Sequence, residues 1–106
     1  MEEYVIAITT CTESEADRLA NALIQSRTCA CVNAIRGVTS TYYWRGALQC
    51  EKECILVMKT RRELTDRLYR TLKDNHSYEI PEFIVIGIQQ GSPEYLAWLS
   101  ESTLHH

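Results

Sequence analysis

An α+β domain, with helices laid on one antiparallel sheet, is the fold class predicted by this 106-residue sequence. Three observations predict it. Apolar segments of strand character alternate with segments of helical period. Two extended segments, Cys31 to Arg45 and Leu48 to Lys59, are separated only by a turn at Arg45-Gly46-Ala47, so they must lie antiparallel. Helix-start signals stand where the pattern changes from strand to helix.

The elements follow in order. Tyr4 to Thr10 is nearly all apolar or Thr and reads as a buried strand. Thr12-Glu13-Ser14-Glu15 has the form of a capping box. Ala16, Leu19, Ala20, Leu23 and Ile24 then make one apolar helical stripe. The long hairpin comes next, loosened at Gly37 in its first arm. Thr60-Arg61-Arg62-Glu63 reads as a second capping box, and Leu64, Leu68 and Leu72 mark the helix face behind it. Pro81 stops that helix from running through the segment 75–80. Phe83 to Ile88 is a continuous apolar strand. Ser92-Pro93 supplies an N-cap and a Pro at the first helical position, ahead of Tyr95, Leu96, Trp98 and Leu99.

The order βαββαβ plus a C-terminal helix is the split βαβ, or ferredoxin-like, arrangement. Each hairpin arm is about twice the usual strand length of roughly 5–6 residues. Its first arm lies at a sheet edge in this topology. A long exposed edge bearing Val38, Tyr42, Tyr43 and Trp44 invites open-ended association. Pairing with other copies of the chain in closed symmetry removes that hazard, so a homo-oligomer is expected.

Composition sets the function classes. Residues 1–106 make one domain with a core of about 4–103; 45% of the residues are apolar and 24% charged, as in a globular chain. Acidic residues outnumber Lys and Arg 14 to 11, which speaks against a nucleic-acid partner. No apolar run has the length of a membrane span. The start Met1-Glu2-Glu3-Tyr4 is acidic where a secretory signal is basic, and the odd set Cys11, Cys29, Cys31, Cys50 and Cys54 fits reduced thiols; a cytoplasmic location is expected. His105-His106 have the character of a purification-tag remnant and take no part in the functional reasoning.

Several segments occur in a telling order: Ala30-Cys31-Val32-Asn33, Ser40-Thr41-Tyr42-Tyr43-Trp44-Arg45-Gly46, Met58-Lys59-Thr60, His76-Ser77-Tyr78-Glu79-Ile80-Pro81-Glu82 and Tyr95-Leu96-Ala97-Trp98. Together they resemble the divalent-cation tolerance (CutA) family over Tyr4 to Thr103. Tyr-Tyr-Trp-Arg-Gly and His-x-Tyr-Glu-x-Pro-Glu are the most specific parts. The resemblance implies a ferredoxin-like fold, a trimer built through the hairpin as in PII-type signalling proteins, and an association with copper and other divalent cations. It also implies a metal site formed by a Cys after the first strand and a His-His pair. Carried over by position, the Cys is Cys11, the second His is His76, and the first His falls on Asn75. Thiolate and imidazole suit Cu or Zn, but two ligands make a weak site. The other cysteines read as packing residues: Cys29 and Cys31 on one strand face, Cys50 and Cys54 about 13 Å apart along the other arm.

A second reading concerns a ligand cleft. Tyr43, Trp44, Tyr78 and Trp98 supply aromatic walls, and Lys59, His76 and Glu82 polar groups, for a small anionic or nucleotide-like ligand between subunits. A third is a structural anchor for a partner protein. Catalysis is not expected. The glycines Gly37, Gly46, Gly87 and Gly91 are scattered, and no nucleophile–base–orienter set can be assembled.

Overall fold

The computed structural model describes residues 2–105. Met1 and His106, the latter half of the supposed tag remnant, lie outside the described residues. The elements are β1 (Tyr4–Cys11), α1 (Ala16–Gln25), β2 (Cys31–Trp44), β3 (Ala47–Arg61), a 3₁₀ turn at Arg62–Leu64, α2 (Thr65–Asn75), β4 (Ile84–Gly87) and α3 (Pro93–Glu101). The four strands form one antiparallel sheet in the order β2-β3-β1-β4. This is the split βαβ arrangement the sequence predicts, with β2 at an edge.

Alternation in β1 decides what lies on each face. Val5, Ala7, Thr9 and Cys11 are buried, while the residues between them are only partly so. Strand side chains alternate sides, so one face of the sheet is covered and the other is not. The covered face receives Leu56 and Met58 from β3, Ala16, Leu19 and Leu23 from α1, and Leu68 and Leu72 from α2, all without solvent exposure. The opposite face carries Ile6, Ile8, Ile55 and Val57, flanked by Ile35, Ile84 and Ile86 near half exposure. Ile84, within the apolar run read as the last strand, belongs to this open face and not to the core, because its register partner Ile8 points away from the helices.

The hairpin is long for a physical reason: 14 residues in β2 and 15 in β3 pair almost continuously, closing through Trp44 opposite Ala47. Arg45 and Gly46 both take positive φ, 51° and 80°, as a two-residue turn matching the strand twist requires. The one break is at Arg36-Gly37, where two residues oppose Cys54 alone. Gly37 has φ 74° there, and its N–H donates to Glu13 at 2.7 Å. This bulge bends the arm, and the overhanging hairpin makes the molecule long, 45 × 25 × 22 Å.

Caps divide into those that form and one that does not. Thr12 and Glu15 exchange their bonds, Glu15 N–H to Thr12 Oγ1 at 3.3 Å and Thr12 N–H to the Glu15 carboxylate at 3.1 Å. Ser92 Oγ accepts from Tyr95 N–H, with Pro93 opening α3. The box expected at Thr60–Glu63 is absent. β3 runs two residues further than predicted, to Arg61, and the buried Thr60 hydroxyl donates to the Thr28 carbonyl at 2.6 Å. The last strand is also shorter than the apolar run 83–88: four residues pair. At the far end of β3, buried Arg61 donates to Thr103 Oγ1 at 3.0 Å and to the Leu104 carbonyl, and pairs with Glu63. That clamp holds the chain leaving α3.

Candidate functional site

Cys11 ends β1 on the helix-covered face and is fully buried. Burial pushes its thiol up to about 12, reinforced by Cys54 and Glu15. Cys54 is its direct register partner on β3, a neighbour that sequence reasoning did not pair with it. His76 caps the C-terminus of α2. Its Nδ1 accepts from Tyr78 N–H at 3.0 Å, so Nε2 carries the proton and donates to the Thr10 carbonyl at 2.7 Å. The fold therefore brings His76 to the residue beside Cys11. Both ring nitrogens are already engaged, and among the described residues no group of three or more His, Cys, Asp or Glu converges on one point. Asn75, where the resemblance would want a second His, donates to the Thr71 carbonyl at 2.8 Å.

Glu15 is more than a cap. Its carboxylate accepts from Ser77 N–H (3.1 Å), Ser77 Oγ (2.7 Å) and Thr12 Oγ1 (2.9 Å), with Arg18 at 3.5 Å. Burial alone would raise its pKa, but the Ser77 and Thr12 bonds outweigh it and hold the carboxyl below its ordinary value. It ties the start of α1 to the segment 76–78, which sets the positions of His76 and Tyr78.

The other cysteines also sort themselves. All five are free thiols. Cys29 packs in the core but precedes β2, so it does not share a strand face with the half-buried Cys31. Cys50 was expected to pack; it is exposed on the overhanging hairpin, accepting from Thr41 Oγ1 at 3.9 Å.

A cleft of about 630 Å³ opens between the hairpin and the segment after α2. Of the residues expected in a ligand cleft, Trp44, Tyr78 and Glu82 line it. Tyr43, Lys59 and Trp98 do not. Tyr43 points to solvent at 75% exposure, Lys59 donates to Asn33 Oδ1 at 2.7 Å, and Trp98 pairs with Tyr95 at 5.5 Å. In their place stand Glu51, Glu53 and Glu79, which the sequence reasoning did not single out. The signal was there: Glu51 and Glu53 are two apart in a strand and share a face. No Lys or Arg lines this cleft, so within one chain its charge suits a cation; the anionic ligand was expected between subunits.

A split βαβ sheet with one helix-covered face, an overlong hairpin and a His-x-Tyr-Glu segment folded back on the end of β1 defines a ferredoxin-like α+β protein with an extended hairpin. The chain belongs to the CutA1 divalent ion tolerance family, whose model matches residues 4–102. It is 40% identical over 101 residues to the divalent-cation tolerance protein CutA of Thermus thermophilus, covering 95% of this chain and 98% of that one. It is 39% identical over 99 residues to the chloroplastic CutA 1 of Oryza sativa, covering 93% of this chain and 56% of the relative. The chain thus spans little more than half the length of its plant relatives. The crystal structure of CutA1 from Oryza sativa superimposes with a TM-score of 0.94 at 36% identity, over 99% of this chain and 97% of that one.

Proposed function

We propose that the chain works as a homotrimer that takes up a soft metal ion, Cu or Zn, weakly and without catalysis, in a reducing compartment such as the cytoplasm. The observation that carries the reading is the corner where Cys11 faces Cys54 in register and His76 docks on Thr10. A thiolate and an imidazole are donors that soft ions prefer, and Cys11 and His76 supply one of each. The site is weak because each donor is already committed: the ion must displace a proton from a buried thiol and draw His76 off the Thr10 carbonyl. The name of the Thermus thermophilus relative, a divalent-cation tolerance protein, supports the same reading. The open apolar sheet face supports the assembly, since a face this apolar is usually covered. Five free thiols support the reducing compartment.

Titration with Cu(I), Cu(II) and Zn tests the site. Binding is expected to weaken at least tenfold in a Cys11→Ser, His76→Ala variant and to fade as pH falls, because protons compete for thiolate and imidazole. Chelator is expected to leave fold and assembly intact, since a two-donor site does not hold the core together. Binding unchanged in the double variant would place the ion elsewhere.

A further inference from the structure

The cleft holds a carboxylate whose role the metal reading does not use. Glu53 sits on β3 opposite Val38, just beyond the bulge, and is 3% exposed. Tyr78 OH donates to its Oε2 at 2.5 Å. Burial, then Glu53 itself, pushes the Tyr78 phenol up, so that proton stays on the phenol. Oε1 has no hydrogen-bond partner among the described residues. Every fully buried side-chain polar atom among them does have one, so Oε1 is an oxygen that the cleft reaches. A nearly buried carboxylate with a free oxygen is a costly arrangement unless a cation comes to it.

The walls indicate which cation. Tyr42, Trp44 and Tyr78 line the cleft, and the indole of Trp44 already carries the Arg45 guanidinium 5.3 Å from its centroid. Arg45 lies outside the lining but pairs at 2.9 Å with Glu79, which belongs to it, so Glu79 is already neutralised. Aromatic faces attract cations with alkyl bodies, and among the described residues no three metal donors converge in this cleft. Glu51 and Glu82 add negative charge along the same wall. A free carboxylate oxygen calls for an N–H donor, and spaced carboxylates call for more than one ammonium.

We propose that this cleft binds an alkyl polyamine, one ammonium donating to Glu53 Oε1 and its methylenes lying on Trp44 and Tyr42. The cleft borders the Cys11–His76 corner at Thr10 and Tyr78 but uses neither the Cys11 thiol nor the His76 ring, so its occupation is read separately from metal uptake. Spermidine is the probe, titrated calorimetrically into the full chain at low and at physiological salt. Saturable binding near one per chain is expected, at least tenfold weaker in Glu53→Gln and weaker in Trp44→Ala. It should be unchanged in Glu94→Gln, an exposed acid on α3 that reports non-specific attraction. An unchanged far-ultraviolet spectrum and melting temperature in Glu53→Gln guard against reading a misfolded variant as a lost site. Equal binding to wild type and a folded Glu53→Gln, or equal losses in Glu53→Gln and Glu94→Gln, would overturn the proposal. So would binding seen only when the oligomer is dissociated, since the cleft would then seat a neighbouring subunit.

Discussion

The double variant Ile8→Lys, Ile84→Lys will fold and will not assemble. These residues are register partners on β1 and the edge strand β4, on the sheet face opposite the helix-covered core. Ile84 is 49% exposed in the single chain and Ile86 51%, with half-buried Ile6, Ile55 and Val57 beside them. Burying each such side chain between subunits contributes roughly 1.5–3 kcal/mol. Burying a lysine ammonium there without a partner costs more than that contribution. Two introduced charges per chain, repeated around a closed ring, therefore exceed what a small interface supplies. The helix-covered core is on the other side of the sheet and does not feel them. Light scattering should show about three chain masses for the wild type and one mass of 12.2 kDa for the variant, with the far-ultraviolet spectrum unchanged. A wild type already at one chain mass, or a variant still at three, would show that this face is not the interface.

Glu15→Ala should give the largest loss of stability from a single side chain outside the apolar core, about 2–4 kcal/mol. The carboxylate accepts from Ser77 twice and from Thr12 twice, and hydrogen bonds to a charged group are worth about 1.5–3 kcal/mol each without being additive. Its loss leaves the N–H groups of Thr12 and Ser77 without their partner and frees the segment that carries His76 and Tyr78. The pH dependence follows from the same bonds. The folded pKa lies below the ordinary carboxylate value, so the folded state holds its charge where the unfolded chain, near pH 4.3, begins to take up a proton. The contribution is fully present above that value and is lost as pH falls through the lower, folded one. Urea melts of wild type and variant between neutral pH and pH 3 should converge as the pH drops. Parallel curves would mean that another group carries the acid sensitivity.

The sequence determined by itself what depends on local chemistry. The hairpin was legible because Arg45-Gly46 permits a tight turn and little else. The caps at Thr12–Glu15 and Ser92–Pro93 were legible for the same reason: they rest on bonds spanning a few residues. The meeting of Cys11 and His76 was legible only through a family resemblance, since 65 residues separate them and periodicity says nothing about such a distance.

Tertiary structure decided everything that depends on which strand face meets what. Thr60 had the spacing of a cap, but its hydroxyl found Thr28 across the fold and β3 continued past it. Lys59 and Tyr78 looked like neighbours in a cleft, yet Lys59 turned to Asn33 while Tyr78 reached Glu53, 25 positions away. A sequence states which groups are available to bond or to bear charge. Strand register, which moves every side chain to the other face when it shifts by one residue, decides which of them meet.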